Sequence, residues 1–259
     1  VPSDRVLVAE SGITGPADNV PEVSGSNLVL VTTGGPIGAG AGSPFEFNAL
    51  RLDGFTNGNG AAGGNAALRD TDNGLSVGQF VAGGGDVYLA SRGNVGTTNL
   101  LAVTPNDGVP EVVGNFVFLD TSAAPQIPPA PGQIGQPGVF FEVNANVLSA
   151  ATNNSSLWVS EVGTGATLGA LVRDVSAGTG TAFLRVRNGG LITSETVDGS
   201  ADVTAATVNL STVAGDPAGG GFGASAGSPL EINATTLNAN LAGTSGNLFV
   251  ADTAGGLTV

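Results

Sequence analysis

Three glutamates recur in one setting: Glu46 in "FEFNA" (45–49), Glu142 in "FEVNA" (141–145) and Glu231 in "LEINA" (230–234). Paired carboxylates are the machinery of glycoside hydrolysis, which needs them about 5 to 10 Å apart. Equivalent glutamates one whole repeat apart are separated by several strand spacings, about 20 Å. That distance favours a structural role, in which each Glu caps turn amides or lies on the molecular surface. Asn48, Asn144 and Asn233 share the position two residues on. They read as turn or corner residues whose amides bond nearby backbone.

Other residues could do other chemistry. "RDTDNG" (69–74) and "TPNDG" (104–108) offer Asp70, Asp72 and Asp107 as oxygen ligands for Ca²⁺. "DTDNG" misses the EF-hand pattern, because Gly74 falls where a ligand should be and no Glu follows at the end of the loop. These segments therefore read as solvated turns, and no cofactor is expected. Gly38, Gly40 and Gly42 follow an apolar run, as in a phosphate-cradling loop. A dinucleotide fingerprint needs a third Gly and then a helix. Here Ser43, Pro44 and the extended "FEFNALRL" follow instead. Arg185 and Arg187 could act as bases if carboxylates converged beside them. Arg51–Asp53, Arg69–Asp70 and Arg173–Asp174 read as local surface ion pairs, each worth about 0 to 1 kcal/mol. Trp158 and Tyr88 are single examples of their kinds. Trp158 aligns with Phe249, and both read as inward-facing core.

Composition removes whole classes of function. The 259 residues include no Cys and no His, and all seven basic residues are Arg. Thiolate and imidazole metal sites and Ser-His or Cys-His nucleophiles are excluded. A net charge of −14 argues against nucleic acid, which needs clustered cations, and against an anionic membrane surface. No apolar run approaches the roughly 18 residues that span a bilayer. The chain opens at Val1 and closes on "GGLTV" as if in mid-strand. This reads as a piece of a longer chain.

The elements that must carry these residues are short. Apolar runs such as "RVLVA" (5–9), "NLVLV" (27–31) and "AFLRV" (182–186) alternate with polar residues at the strand period. Gly, Asn, Asp, Pro and Ser clusters punctuate them. With 43 glycines, helix is disfavoured throughout. The chain also repeats about every 90 residues. "VPEVSGSNLVLV" (20–31) returns as "VPEVVGNFVFL" (109–119), and "GSPFEFNALRL" (42–52) as "GVFFEVNANVL" (138–148) and "GSPLEINATTL" (227–237). "NAALRDTDNGLSV" (65–77), "SSLWVSEVGTGATL" (155–168) and "GNLFVADTAGGLTV" (246–259) share a third slot. "GDVYLASRGNV" (85–95), "GTAFLRVRNGG" (180–190) and "SDRVLVAESGI" (3–13) share a fourth. Repeats thus fall at 1–19 (partial), 20–108, 109–200 and 201–259 (partial). Units that cannot bury their own apolar face must stack. The expected fold is all-β, a right-handed parallel β-helix over 1–259 with roughly 13 rungs, the alternative being a β-sandwich. A Pro-rich segment, 124–138, reads as an exposed stiff loop.

The pattern "IGAGAGSPFEFNALRL…GNAALRDTDNGLSVG" (37–78), with "GASAGSPLEINATTLNANLAGTSGNLFVADTAGGLTV" (223–259), resembles the long repeats of bacterial large exoproteins of the filamentous-haemagglutinin type. The likeness runs over most of the chain. The middle copy departs from it, since "GQIGQPGVFFEVNANVL" (132–148) lacks the Gly-Ser-Pro turn. Pro44 and Pro229 end that turn and start the next strand, where a missing amide proton costs little. The resemblance implies a secreted, non-catalytic adhesin or fibre at the cell surface or in the extracellular matrix. Its expected partners are other copies stacked end to end or further repeats of a longer chain, with a surface glycan or cell receptor on its flank. The competing expectation is a β-helical polysaccharide lyase or hydrolase.

Overall fold

A computed structural model describes residues 3–57, 64–71, 74–91, 99–122, 132–163, 169–213, 220–242 and 246–259. The strands, in chain order, are β1 (Arg5–Ala9), β2 (Val23–Thr32), β3 (Phe45–Thr56), β4 (Ala66–Asp70), β5 (Leu75–Val81), β6 (Val87–Ser91), β7 (Leu100–Ala102), β8 (Val112–Thr121) and β9 (Phe141–Thr152). They continue as β10 (Leu157–Val162), β11 (Ala170–Ser176), β12 (Thr181–Arg187), β13 (Leu191–Ser194), β14 (Val203–Thr212), β15 (Gly221–Phe222), β16 (Leu230–Leu241) and β17 (Val250–Asp252). Every strand pairing is parallel, as in β2 on β3, β8 on β9 and β14 on β16. This is a β-solenoid, and the antiparallel ladders of a sandwich are replaced by stacked turns.

Two ladders alternate along the chain. The first runs Arg5, Leu28, Leu52, Val77, then from Leu75 through Leu100, Ile134, Leu157, Ala182, Val208 and Leu237. The second runs Ile13, Ile37, Ala66, Val87, Val117, Leu148, Val172, then from Ala170 through Ile192, Phe222 and Leu248. Eight turns separate Leu28 from Leu237, about 26 residues each. The expectation of roughly 13 rungs therefore fails. Its error was to treat each apolar run as one rung, whereas every turn crosses both ladders, in some places along one long bent strand and in others along two short ones.

The inward positions carry the alternation read from the sequence. Leu28, Leu52, Phe47, Phe80, Phe141, Phe222, Leu184 and Ile232 are fully buried in one continuous core. Each such side chain contributes about 1.5–3 kcal/mol on leaving water. β-Branched and aromatic residues suit the pleated surface. Parallel stacking gives each turn the next one as its lid.

The 90-residue repeat does not match a whole number of turns. Leu28, Val117 and Val208 are equivalent in the three copies, yet Leu28 and Val208 stand on the first ladder and Val117 on the second. Seven turns lie between Leu28 and Val208. Each repeat thus advances three and a half turns, and successive copies present the same motif on alternate ladders.

Candidate functional site

The recurrent Glu positions sit where a corner meets a strand. Glu46, Glu142 and Glu231 each follow the first residue of a long strand: β3, β9 and β16. All three are buried. None lies on the molecular surface; the first of the two structural roles expected, capping turn amides, is the one adopted. Asp18 donates its backbone N–H to Glu46 Oε2 at 3.1 Å, and Gly108 to Glu142 Oε2 at 3.0 Å. Asp198 and Gly199 donate theirs to the two Glu231 oxygens at 3.1 and 2.9 Å.

Each glutamate is held in turn by the preceding corner. Glu22, Glu111 and Asp202 donate backbone N–H groups to the carbonyls of Glu46, Glu142 and Glu231 at 2.9, 2.8 and 3.0 Å. Glu46 and Glu142 return their own N–H groups to Glu22 Oε2 and Glu111 Oε2, both at 2.6 Å. In the third copy, Glu231 N–H goes to Ser194 Oγ at 2.9 Å. The corner is closed by an Asx turn, with Asp18, Asp107 and Asp198 each accepting the N–H two residues on. Asn19, Gly108 and Gly199 supply the left-handed residue there, with φ of 62°, 82° and 82°. The result is a latch that ties one turn to the next, built three times.

Electrostatics distinguish the copies. Arg69 Nε lies 3.1 Å from Glu46 Oε1, one strand over. Glu142 Oε1 receives both Arg185 at 3.1 Å and Arg187 at 2.8 Å, from two strands over. Arg185 also stacks on the Phe140 ring at 3.9 Å and donates to Ser160 Oγ at 3.0 Å. Glu231 faces Ala251 in the corresponding register. Burial pushes Glu111 up to about 8, with the Glu142 and Asp107 charges adding to the rise. It pushes Asp202 up to about 6, helped by Glu231, Asp198 and Glu195. Burial raises Glu22 as well.

Arg185 and Arg187 do meet acidic company, but both bond the one carboxylate, Glu142, inside a latch. Asp70 is a buried residue of β4 near the Ala49 amide. Asp107 closes its own turn by accepting the Val109 N–H at 2.8 Å. Asp72 lies outside the described residues. Among the described residues, no group of three or more acidic side chains is placed to hold a metal ion. Asn48, Asn144 and Asn233 lie within strands rather than in corners. Arg51–Asp53 forms at 2.6 Å, because residues two apart share a strand face. Arg69 and Arg173 pair with Glu46 and Glu195 instead of their Asp neighbours, which the strand alternation turns the other way.

Trp158 is buried, but between the inward Leu157 and Val159 it faces outward, stacked on Phe183 at 4.9 Å. Tyr88 likewise lies between inward Val87 and Leu89, packs on Phe118 and donates its hydroxyl to Asp120 at 3.1 Å. Of the Pro-rich segment, 124–131 lies outside the described residues. In the remainder, Ile134 is a fully buried ladder residue, while 136–138 form an exposed loop tip.

The glycine segments are a second recurring device. Ile37 and Phe45 pair with Ala66 and Leu68, so six extra residues leave the ladder between them. Ile134 and Phe141 pair with Leu157 and Val159, with five extra. Phe222 and Leu230 pair with Leu248 and Val250, again with six. Each loop is pinched by an antiparallel bridge: Gly40 with Ser43, Gln136 with Val139, Ser225 with Ser228. The loop tips are exposed. Pro44 and Pro229 immediately precede β3 and β16, as expected. The middle copy builds the same loop without Gly-Ser-Pro.

Sequence reasoning missed Glu22, Glu111, Asp202 and two of the three turn aspartates, Asp18 and Asp198; it placed Asp107 in a turn without its latch. The signal was present in "VPE" at 20–22 and 109–111, one turn before each glutamate. No protein-family profile, curated protein or solved structure matches this chain.

Proposed function

We propose that this chain is a structural or adhesive β-solenoid of the cell surface or extracellular matrix, and that it is non-catalytic. One observation carries the reading: the recurrent glutamates are buried and engaged in tying turns together. Its affinity for surroundings would then reside in length, stiffness and what the flank presents. The exposed loop tips at 39–42, 136–138 and 224–227 are the natural contacts for a glycan or a cell receptor. A right-handed coil accords with the strong bias of parallel crossovers. The resemblance to large bacterial exoproteins points the same way. So does the net charge of −14, which keeps such surfaces apart from anionic membranes.

The test is localisation with an activity control. Antibody labelling of intact source cells should decorate the surface or the surrounding matrix, and purified protein should leave acidic and neutral polysaccharides uncut. Intracellular labelling would overturn the reading. Cleavage lost in Glu142→Gln and Arg185→Ala variants would replace it with a β-helical lyase or hydrolase.

A further inference from the structure

The flank of the second ladder gathers three aromatic rings at mid-chain, three turns from either end of that ladder. Tyr88 of β6 stands opposite Phe118 of β8, and Phe116 lies two residues before Phe118 on the same face. All three sit between inward core neighbours and are half-buried. The Tyr88 and Phe118 rings meet at 5.3 Å and 59°, and the Phe116 and Phe118 rings lie 6.5 Å apart at 19°. Beyond Phe116 the same column continues as Val147 of β9 and Leu171 of β11, which is 39% exposed. The strip spans three strand spacings, about 14 Å. Contiguous outward apolar groups rimmed by polar ones mark interaction sites.

The rim here is acidic. Asp86 immediately precedes β6 and accepts the Phe116 N–H at 3.2 Å. Asp120 follows Phe118 by two residues and accepts the Tyr88 hydroxyl at 3.1 Å. Asp174 continues the Tyr88–Phe118 column two turns on, past Ser149. The face already holds one cation. The Arg173 guanidinium lies over the Phe116 ring at 4.7 Å, tied to Glu195 by bonds of 2.5 and 2.7 Å, and Asp86 attracts it as well. Among the described residues, four carboxylates around these rings thus share one arginine.

We propose that this face docks a basic protein segment. The segment lays an arginine or lysine side chain over the Tyr88–Phe118 rings, beside Asp86 and Asp120, and rests aliphatic side chains on Val147 and Leu171. This supplies a partner for the adhesive reading above and rests on it. Charge decides the occupant. Rings alone would stack on a neutral sugar as readily. The acidic rim and the net charge of −14 attract cations and steer them in from a distance. An aromatic face seats a guanidinium or ammonium group well, and Arg173 on Phe116 is the intramolecular precedent.

The experiment titrates the full chain into a fluorescein-labelled peptide that alternates arginine and leucine. Anisotropy is read at about 0.15 M salt, where charges are screened beyond about 8 Å. Tyr88→Leu with Phe118→Leu keeps the net charge and should weaken binding about five- to tenfold. Asp86→Asn should weaken it about threefold. Glu10→Gln, the same charge change at an exposed site off this face, should leave it unchanged. No binding by the wild type, or a ring-free variant that binds as tightly, overturns the proposal. So does Asp86→Asn matching Glu10→Gln, since binding is then general attraction to an acidic rod. Should the double variant fail to fold, as its urea transition would show, the Asp86 comparison decides alone. A neutral hexasaccharide that displaces the peptide, with the same dependence on both rings, would put a sugar on this face and overturn the proposal too. A protein that ignores the peptide yet decorates the cell surface would leave the structural reading standing. Ring-dependent binding by an intracellular protein would do the reverse.

Discussion

At the scale of single residues, the two recurring devices make opposite demands. The loops depend on glycine. Gly38, Gly135 and Gly223 have φ of 71°, 68° and 72°. A Cβ at each would collide with the carbonyl oxygen of Ala67, Trp158 or Phe249, which are themselves equivalent residues of the next turn. Gly38→Ala and Gly223→Ala should each destabilise the fold by about 1–3 kcal/mol, whereas Gly42→Ala, in open space, should be nearly neutral. Urea midpoints of the three variants check this. The latches depend on charge. Glu142→Gln strips two arginines of their partner, and their side chains are only 12% and 19% exposed. Discounted for that residual exposure, the loss should be about 2–4 kcal/mol. Glu231→Gln removes no described cation and should cost about 1 kcal/mol. Trp158, the only tryptophan and two residues from the Arg185 partner Ser160, offers a local fluorescence probe of the middle latch. Equal midpoints for Glu142→Gln and Glu231→Gln would contradict the account.

At the scale of elements, much was legible and the gaps have physical causes. Period-two alternation located the strands, and the 90-residue repeat favoured a stacked solenoid over a β-sandwich. The rung number was not legible, because a strand that bends from one ladder to the other looks like one run, as in β3 and β9. Nor were the latch partners, since Glu22 and Glu46 meet only after a full turn of chain. The orientation of Trp158 was misread for want of a frame: alternation fixes relative faces, and only the neighbours Leu157 and Val159 set the absolute one. β10 also holds the clearest local conflict. Glu161 takes an inward place between Val143 and Val186 in the ladder. Neither carboxyl oxygen makes a well-formed hydrogen bond, and burial drives its pKa well up, with only partial relief from the Ala145 backbone. Glu161→Val should therefore stabilise the solenoid by about 1–3 kcal/mol at pH 8, and by less at pH 5, nearer the ordinary carboxyl range in which the unfolded chain also takes up this proton. Denaturation at the two pH values tests both the sign and the difference.

At the scale of the whole molecule, the buried carboxyls set a pH dependence opposite to that of most ion-paired proteins. Glu111, Glu161 and Asp202 are buried and raised chiefly by that burial, and the more exposed Glu22 and Asp174 are raised by partial desolvation. Glu195 is lowered, by its bond to Arg173, and lies near the surface. A carboxyl raised in the folded state binds its proton more tightly there than in the unfolded chain, where it titrates near 4. Folding is then favoured fully below that value, and the advantage shrinks as pH rises through the folded pKa. Asp202 should lose its contribution up to about 6 and Glu111 up to about 8. Thermal midpoints should fall steadily from pH 5 to pH 8.5. General repulsion at a net charge of −14 would produce the same slope, so the causes must be separated. Added salt screens exposed charges over about 10 Å at 0.1 M and leaves buried ones largely untouched. The slope should therefore persist in salt, while Glu111→Gln should flatten it above pH 6. A slope abolished by salt and unchanged in Glu111→Gln would assign the effect to surface repulsion and remove the latch carboxyl from the explanation.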